Sequence, residues 1–246
     1  VVVGGSEGMT GAAVLTATAA LRADAGYVTL FVPRAALPVA EALALEPVKR
    51  GFGWSDGADA IVEAAARAQA VAIGPGLGRS AEALTLVRDL LGRLDLPVVV
   101  DADALFDLGP LGGRQARTVL TPHAGELARL LGRDAVWVGA HRLAAAREAA
   151  ARFGAVVLLK GPDTLVVSPD GRKVVADAGP PSLATAGTGD VLTGVIAAFL
   201  AKGLDAVAAA ATGALAHGLA AASLEHQAGV IASDVAAAFP AVLSRR

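Results

Sequence analysis

The chain has 246 residues, is 54% hydrophobic and 18% charged, and carries a formal net charge of −2. That is enough apolar material for a large core, with no basic surface for nucleic acid and no acidic disordered tail. The absence of cysteine excludes disulfide frameworks, thiolate metal sites and cysteine nucleophiles, and every apolar stretch is broken well short of the ~20 residues of a membrane span, so one compact cytoplasmic domain over 1–246, with no membrane partner, is the expectation.

Residues 1–3 read as a strand, and the chain opens on Val1 rather than methionine, which leaves a preceding domain open. Gly4-Gly5-Ser6-Glu7-Gly8 follows and matches the G-x-S-x-G elbow of serine hydrolases. That elbow normally comes after several strands, so the plainer reading is a tight strand-to-helix turn with Ser6 as the cap. Residues 27–32 form a second β-branched run and 71–73 a third, running into Gly74-Pro75-Gly76-Leu77-Gly78, where a ligand can lie against bare backbone. Arg79 stands where the dinucleotide fingerprint needs its last glycine, which disfavours a standard NAD dehydrogenase. None of the four lysines follows a glycine, so the phosphate loop of P-loop NTPases is excluded.

Residues 97–101 form the next strand, ending on Asp101-Ala102-Asp103. Two carboxylates there suit orienting groups or magnesium held through water, unless the segment is a solvated turn. Residues 118–120 lead into Thr121-Pro122-His123-Ala124-Gly125-Glu126, in which proline ends the strand and Glu126 opens a helix. His123 is either a substrate contact or a cap. Residues 155–160 end on Lys160-Gly161-Pro162-Asp163-Thr164, which reads either as a lysine turned towards a nucleotide or as an exposed loop.

Residues 165–167 and 172–176 flank Ser168-Pro169-Asp170-Gly171, a turn in which proline sets φ and glycine supplies the positive φ, giving an antiparallel hairpin. Ala186-Gly187-Thr188-Gly189-Asp190 then enters an apolar helix. Free N–H groups and the positive dipole end can hold an anion there, with Asp190 beside it as a proton acceptor; the alternative is a glycine turn with an acid in the first turn. Helical stretches over 190–202, 205–224 and 233–243 make the last third helical. Strands alternating with helical stretches give an α/β fold around a mostly parallel central sheet flanked by helices, with ligands expected beyond the carboxyl ends of the strands.

Taken in order, Gly4-Gly5-Ser6, Met9-Thr10-Gly11-Ala12-Ala13, Ala20-Leu21-Arg22, Gly74-Pro75-Gly76-Leu77-Gly78, Asp101-Ala102-Asp103-Ala104, Leu120-Thr121-Pro122-His123 and Ala186-Gly187-Thr188-Gly189-Asp190-Val191-Leu192-Thr193-Gly194 resemble the ADP- or ATP-dependent NAD(P)H-hydrate dehydratases. These are ribokinase-like enzymes that work with NAD(P)H-hydrate epimerases. The resemblance implies a ribokinase-like fold and conversion of the S epimer of hydrated NADH or NADPH (NADHX, NADPHX) to the coenzyme, with ADP or ATP as co-substrate and Mg2+ to neutralise phosphate charge. Phosphorylation of the C6 hydroxyl would come first and phosphate loss second.

Asp190 would then be the catalytic base and Gly187, Thr188 and Gly189 the anion hole. Lys160, Gly161, Pro162, Asp163, Thr164 and Gly189 would meet the AMP moiety, and Ala12, Gly76, His123 and Asp190 the hydrated coenzyme, with Ala13 the alternative to Ala12. No protein metal ligand is implied; a homo-oligomer is. The sequence departs from the family pattern at Ala124, where proline is usual, and at Pro162-Asp163, where smaller residues are common. A small-molecule kinase of the same fold is the alternative reading, since such kinases share Gly-Thr-Gly-Asp.

Overall fold

The computed structural model describes residues 1–112, 114 and 117–244. Its strands are β1 (Val2–Val3), β2 (Thr29–Pro33), β3 (Val48–Phe52), β4 (Val71–Ile73), β5 (Val98–Val100), β6 (Thr118–Leu120), β7 (Val156–Leu159), β8 (Thr164–Val167) and β9 (Lys173–Ala176). They form one sheet in the order β3-β2-β1-β4-β5-β6-β7-β8-β9. Pairing is parallel from β3 through β7 and antiparallel for β7 with β8 and β8 with β9. The expected hairpin is present: Gly171 takes φ 91° and its N–H bonds Ser168 O at 3.0 Å. β3 is an addition to the sequence reading, an edge strand whose Val-Lys-Arg-Gly-Phe composition hides its period.

The short central strands are stable because both faces are covered, the reason they read as unbroken β-branched runs. Val2, Leu30, Val32, Ala72 and Val99 face one layer, made by α1 (Thr10–Arg22), α2 (Leu37–Leu43), α8 (Thr188–Ala201), α9 (Ala206–Ala222) and α10 (Ala232–Leu243). Val3, Phe31, Val71, Ile73, Val98 and Val100 face the other, made by α3 (Gly57–Ala65), α4 (Ala81–Arg93), α5 (Ala124–Leu131), α6 (Ala135–Ala140) and α7 (Arg142–Phe153). The last third is helical as expected, but α8 begins at Thr188, so Thr188 and Gly189 belong to its first turn. Among the described residues no helix is long and apolar enough to cross a membrane.

Alanine and glycine set how closely α1 and α8 approach. A Cβ on Gly194 would collide with the backbone carbonyl oxygen of Thr16, and Thr16 Oγ1 donates to Asp190 O at 3.0 Å, so the two helix backbones touch beside the start of α8. Gly194→Ala must push the helices apart. It is expected to cost about 1–3 kcal/mol, read as a lower denaturant midpoint at unchanged m-value.

Candidate active site at the strand ends

From β1 the chain crosses to β2 on one side, while β4 pairs on the other, so the strand order reverses between β1 and β4. Open α/β sheets bind ligands at such a switch point. Both loops leaving these strands are glycine-rich and interlocked: Gly5 N–H donates to Pro75 O (2.9 Å) and Ser6 N–H to Gly76 O (2.6 Å). Gly4 has no room for a side chain, because a Cβ would strike the Pro75 carbonyl. Ser6 Oγ also donates to Gly76 O, at 3.0 Å. That corrects the capping expectation: Met9, with no side-chain bond, is the N-cap of α1, and the Ser6 hydroxyl stitches the two loops together. A Cβ on Gly76 would lie 3.1 Å from the Ala12 Cβ, so Ala12 and Gly76 are neighbours. Ala12 is half-buried, whereas Ala13 is fully buried beneath Gly4 and Gly5, so of the two Ala12 is the accessible one.

The segment ahead of α8 turns on Gly187, at φ 89°. Among the described residues the N–H groups of Gly189 and Asp190 have no backbone acceptor, the first bond inside the helix being Val191 N–H to Gly187 O at 3.1 Å. Unused donors at the positive end of a 14-residue helix are suited to an anion. Thr188 contributes differently: its hydroxyl donates to Leu183 O (2.7 Å) and lies 2.8 Å from Thr185 O, so it braces the turn.

Lys160, at the end of β7, donates through Nζ to Asp101 Oδ1 at 2.8 Å and lies 3.9 Å from Glu126 Oε2. A Cβ on Gly189 would lie 3.4 Å from the same Nζ, so the ammonium stands beside the anion-holding turn. Burial opposes its charge, but Asp101, Glu126 and Asp190 outweigh burial and hold it above the ordinary lysine range. Asp101 is 1% exposed and receives Thr193 Oγ1 at 2.7 Å on its other oxygen. Asp103 receives Gly78 N–H at 3.0 Å and Arg79 Nε at 2.7 Å. Both carboxylates offered by the sequence for magnesium are therefore engaged by protein donors, and among the described residues no group of three or more His, Cys, Asp or Glu is arranged to hold a metal.

Asp190 sits in the first turn of α8. Burial, joined by the negative charges of Asp101, Asp103 and Glu126 and only partly offset by Lys160, raises its carboxyl from the ordinary value to about 7. A carboxylate poised near neutral pH beside unused N–H donors and a lysine has the protonation behaviour of a general base.

His123 is the N-cap of α5: Nδ1 accepts from Gly125 N (3.0 Å) and Glu126 N (3.3 Å), while Glu126 Oε2 accepts His123 N–H at 2.8 Å. The capping reading is the one seen, and accepting at Nδ1 leaves the proton on Nε2, 3.5 Å from Glu126 Oε1 on a ring 59% exposed. Lys160, Glu126, His123, Asp190 and Gly189 thus converge, and Thr16, whose hydroxyl donates to Asp190 O and lies 3.0 Å from Ala12 O, ties the Ala12–Gly76 pair to them. Gly161 and Pro162 are exposed, with Asp163 and Thr164 half-buried, in the loop that continues from Lys160.

Three contributors were not singled out by the sequence. Arg142 donates to Leu159 O and Asp163 O beneath that loop. Thr193 holds Asp101. His217 of α9 is buried, stacked on Phe239, and pushed down to about 4 by burial despite a hydrogen bond that its ring donates to the Thr188 backbone, so a neutral imidazole braces the first turn of α8. Only the i, i+3 spacing from Asp190 to Thr193 offered a clue.

A family model described as NAD(P)H-hydrate dehydratase matches residues 1–240. The bifunctional NAD(P)H-hydrate repair enzyme of Moorella thermoacetica is 44% identical over 98% of this chain and 48% of its own; the ADP-dependent (S)-NAD(P)H-hydrate dehydratase of Neisseria meningitidis serogroup B is 43% identical over 96% and 80%. The chain thus spans about half the length of the bifunctional relatives. Among solved structures, the ADP/ATP-dependent NAD(P)H-hydrate dehydratase of Bacillus subtilis, co-crystallized with ATP/Mg2+, superposes with a TM-score of 0.86 at 30% identity, covering 98% of this chain and 87% of that one. The hydroxyethylthiazole kinase of Pyrococcus horikoshii, at 20% identity and a TM-score of 0.66, shares the ribokinase-like fold.

Proposed function

This chain belongs to the NAD(P)H-hydrate dehydratase family, and on that footing we propose that it returns the S epimer of hydrated NADH or NADPH to the working coenzyme at the expense of ADP or ATP. The observation that carries this reading is Asp190, raised to about 7 at the head of a helix in which the N–H groups of Gly189 and Asp190 have no backbone acceptor. Asp190 accepts the proton of the C6 hydroxyl as its oxygen attacks the terminal phosphorus. The bond from that phosphorus to the bridging oxygen breaks, releasing AMP when the donor is ADP. Gly187, Gly189 and the N–H groups around them hold the transferred phosphoryl, with Thr188 keeping the turn in shape. Phosphate then leaves with the C–O electrons, and a proton leaves the neighbouring ring carbon as the double bond returns.

Lys160 stands beside the phosphoryl position, and Gly161, Pro162, Asp163 and Thr164 continue from it around the AMP moiety. Ala12, Gly76 and His123 receive the hydrated ring, His123 through its exposed Nε2 edge, which lies 3.5 Å from Glu126 Oε1. Magnesium carried by the nucleotide would neutralise phosphate charge, while Asp101 and Asp103 are engaged by protein donors. An NAD(P)H-hydrate epimerase, fused or separate, supplies the S epimer, and the setting is the cytoplasm.

Mixing the protein with hydrated NADH, magnesium and ADP or ATP is expected to regenerate NADH absorbance only when nucleotide is present. No rise with either nucleotide would reject the reading. Because the base must be ionised, turnover is expected to climb with pH through about 7, the value of Asp190, and to level off above it. A flat profile between pH 5 and 9 would remove Asp190 from that role.

A further inference from the structure

Beside the Gly74–Gly78 loop, two guanidinium groups share one aromatic ring. Arg79 lies 5.1 Å from the Phe106 centroid and Arg129 lies 5.2 Å from it. Phe106 ends the short helical turn Ala102–Leu105 that follows β5, so its ring bridges the glycine loop and α5. Arg129 is three residues beyond Glu126, on the same side of α5, and Glu126 faces Lys160. Arg79 is three residues beyond Gly76 on the same loop, and Arg129 lies on the helix that His123 caps.

The two arginines are not equivalent. Arg79 uses only Nε, donating to Asp103 Oδ1 at 2.7 Å, while Asp103 Oδ2 takes Gly78 N–H at 3.0 Å. One carboxylate thereby fixes the arginine to the loop and leaves both terminal amino groups, on a side chain 47% exposed, free to donate. An arginine pinned at Nε with its terminal fork open is pre-organised for bidentate phosphate binding. Arg129 has no carboxylate within ion-pairing distance among the described residues, and the nearby Asp107 is taken by Arg88 at 3.5 Å. Two cations on one ring repel each other, and an anion between their forks relieves that repulsion.

We propose that Arg79, assisted by Arg129 across Phe106, is a phosphate-binding subsite that holds a phosphate of the hydrated coenzyme outside the reacting ring. The proposal rests on the dehydratase reading for the identity of the coenzyme. Two phosphates share the required chemistry: the diphosphate present in both forms and the 2′-phosphate present only in hydrated NADPH.

The test measures KM and kcat for both hydrated coenzymes, at saturating nucleotide, in the wild type, Arg79→Gln, Arg79→Lys and Arg129→Gln. Arg79→Gln is expected to raise KM about tenfold with kcat within about twofold, from the loss of a charge-assisted bidentate contact, and Arg129→Gln to raise it less. Arg79→Lys, which keeps the charge but loses the fork, is expected to recover only part of the loss. A rise confined to hydrated NADPH assigns the 2′-phosphate; an equal rise for both assigns the diphosphate. Unchanged KM for both coenzymes in Arg79→Gln overturns the proposal, as does full recovery of KM in Arg79→Lys. Equilibrium titration with NADPH itself reads the same subsite without turnover. An inactive wild type that still binds NADPH more tightly than Arg79→Gln would reject the dehydratase reading and keep the subsite, whereas equal binding by wild type, Arg79→Gln and Arg129→Gln would reject the subsite.

Discussion

Asp190→Asn is expected to lower the rate of nucleotide-dependent dehydration by about 10²–10⁴-fold, the contribution of a positioned general base, while nucleotide affinity stays within a few-fold. Asparagine keeps the shape at the head of α8 and the backbone N–H groups that hold the anion, so single-turnover phosphorylation should fail where binding does not. The same substitution carries an opposite effect on stability. Asp190 titrates near 7 in the folded chain and near 3.8 otherwise, so folding favours its protonated form. That contribution is fully present below about pH 4 and is lost as pH rises through 7, where the ionised carboxylate weighs against the fold. Asp190→Asn should accordingly melt higher than the wild type at pH 8 and close to it at pH 4. A variant that is inactive and also less stable at pH 8 would point to misfolding rather than to a missing base.

Asp101→Ala is expected to be the most destabilising single change at the site, costing about 3–5 kcal/mol, because it strips the partner from a charge held inside. The carboxylate is 1% exposed and joins three elements: it ends β5, receives Lys160 from β7 and receives Thr193 from α8. Removing it leaves the ammonium to Glu126 at 3.9 Å and leaves the Thr193 hydroxyl without its acceptor. Adding Lys160→Met to Asp101→Ala should recover much of the loss, so the double-mutant cycle is expected to be strongly non-additive; simple addition of the two losses would mean that the pair is not coupled. The isosteric Asp101→Asn gives a functional reading. Its lost negative charge is one of those raising Asp190, so the rising limb of the pH–rate profile should move to lower pH.

Much of the sheet was legible because burial on both faces forces unbroken apolar runs, as in Val98–Val100 and Val156–Leu159. β3 was not, for the opposite physical reason: as an edge strand it carries Lys49, Arg50 and Gly51 and is half-exposed along its length, so no apolar period marks it. Residues presented at the ends of β4, β6, β7 and α8 could be named from glycine, proline and charge at the right places. What could not be named was the set of side chains that hold them. Arg142, Thr193 and His217 act across 21, 92 and 29 residues of chain respectively, and a spacing that long leaves no local signature. The hydroxyl of Ser6 shows the same limit, since a motif that resembled a nucleophile elbow proved to be half of a joint between two loops.

The guanidinium of Arg142 lies directly under Gly161, so that any Cβ there would collide with it, and it also carries Asp163 through the backbone carbonyl and, at 3.6 Å, through the carboxylate. The loop from Lys160 to Thr164 is therefore not a portable module. Exchanging it for the corresponding segment of a relative, to alter the choice of phosphate donor, brings a new residue at 163 onto an arginine that was shaped around the old one. Such a chimera should be built with position 142 included as part of the graft, because a side chain at 161 displaces the Arg142 guanidinium from the Leu159 and Asp163 carbonyls that it holds.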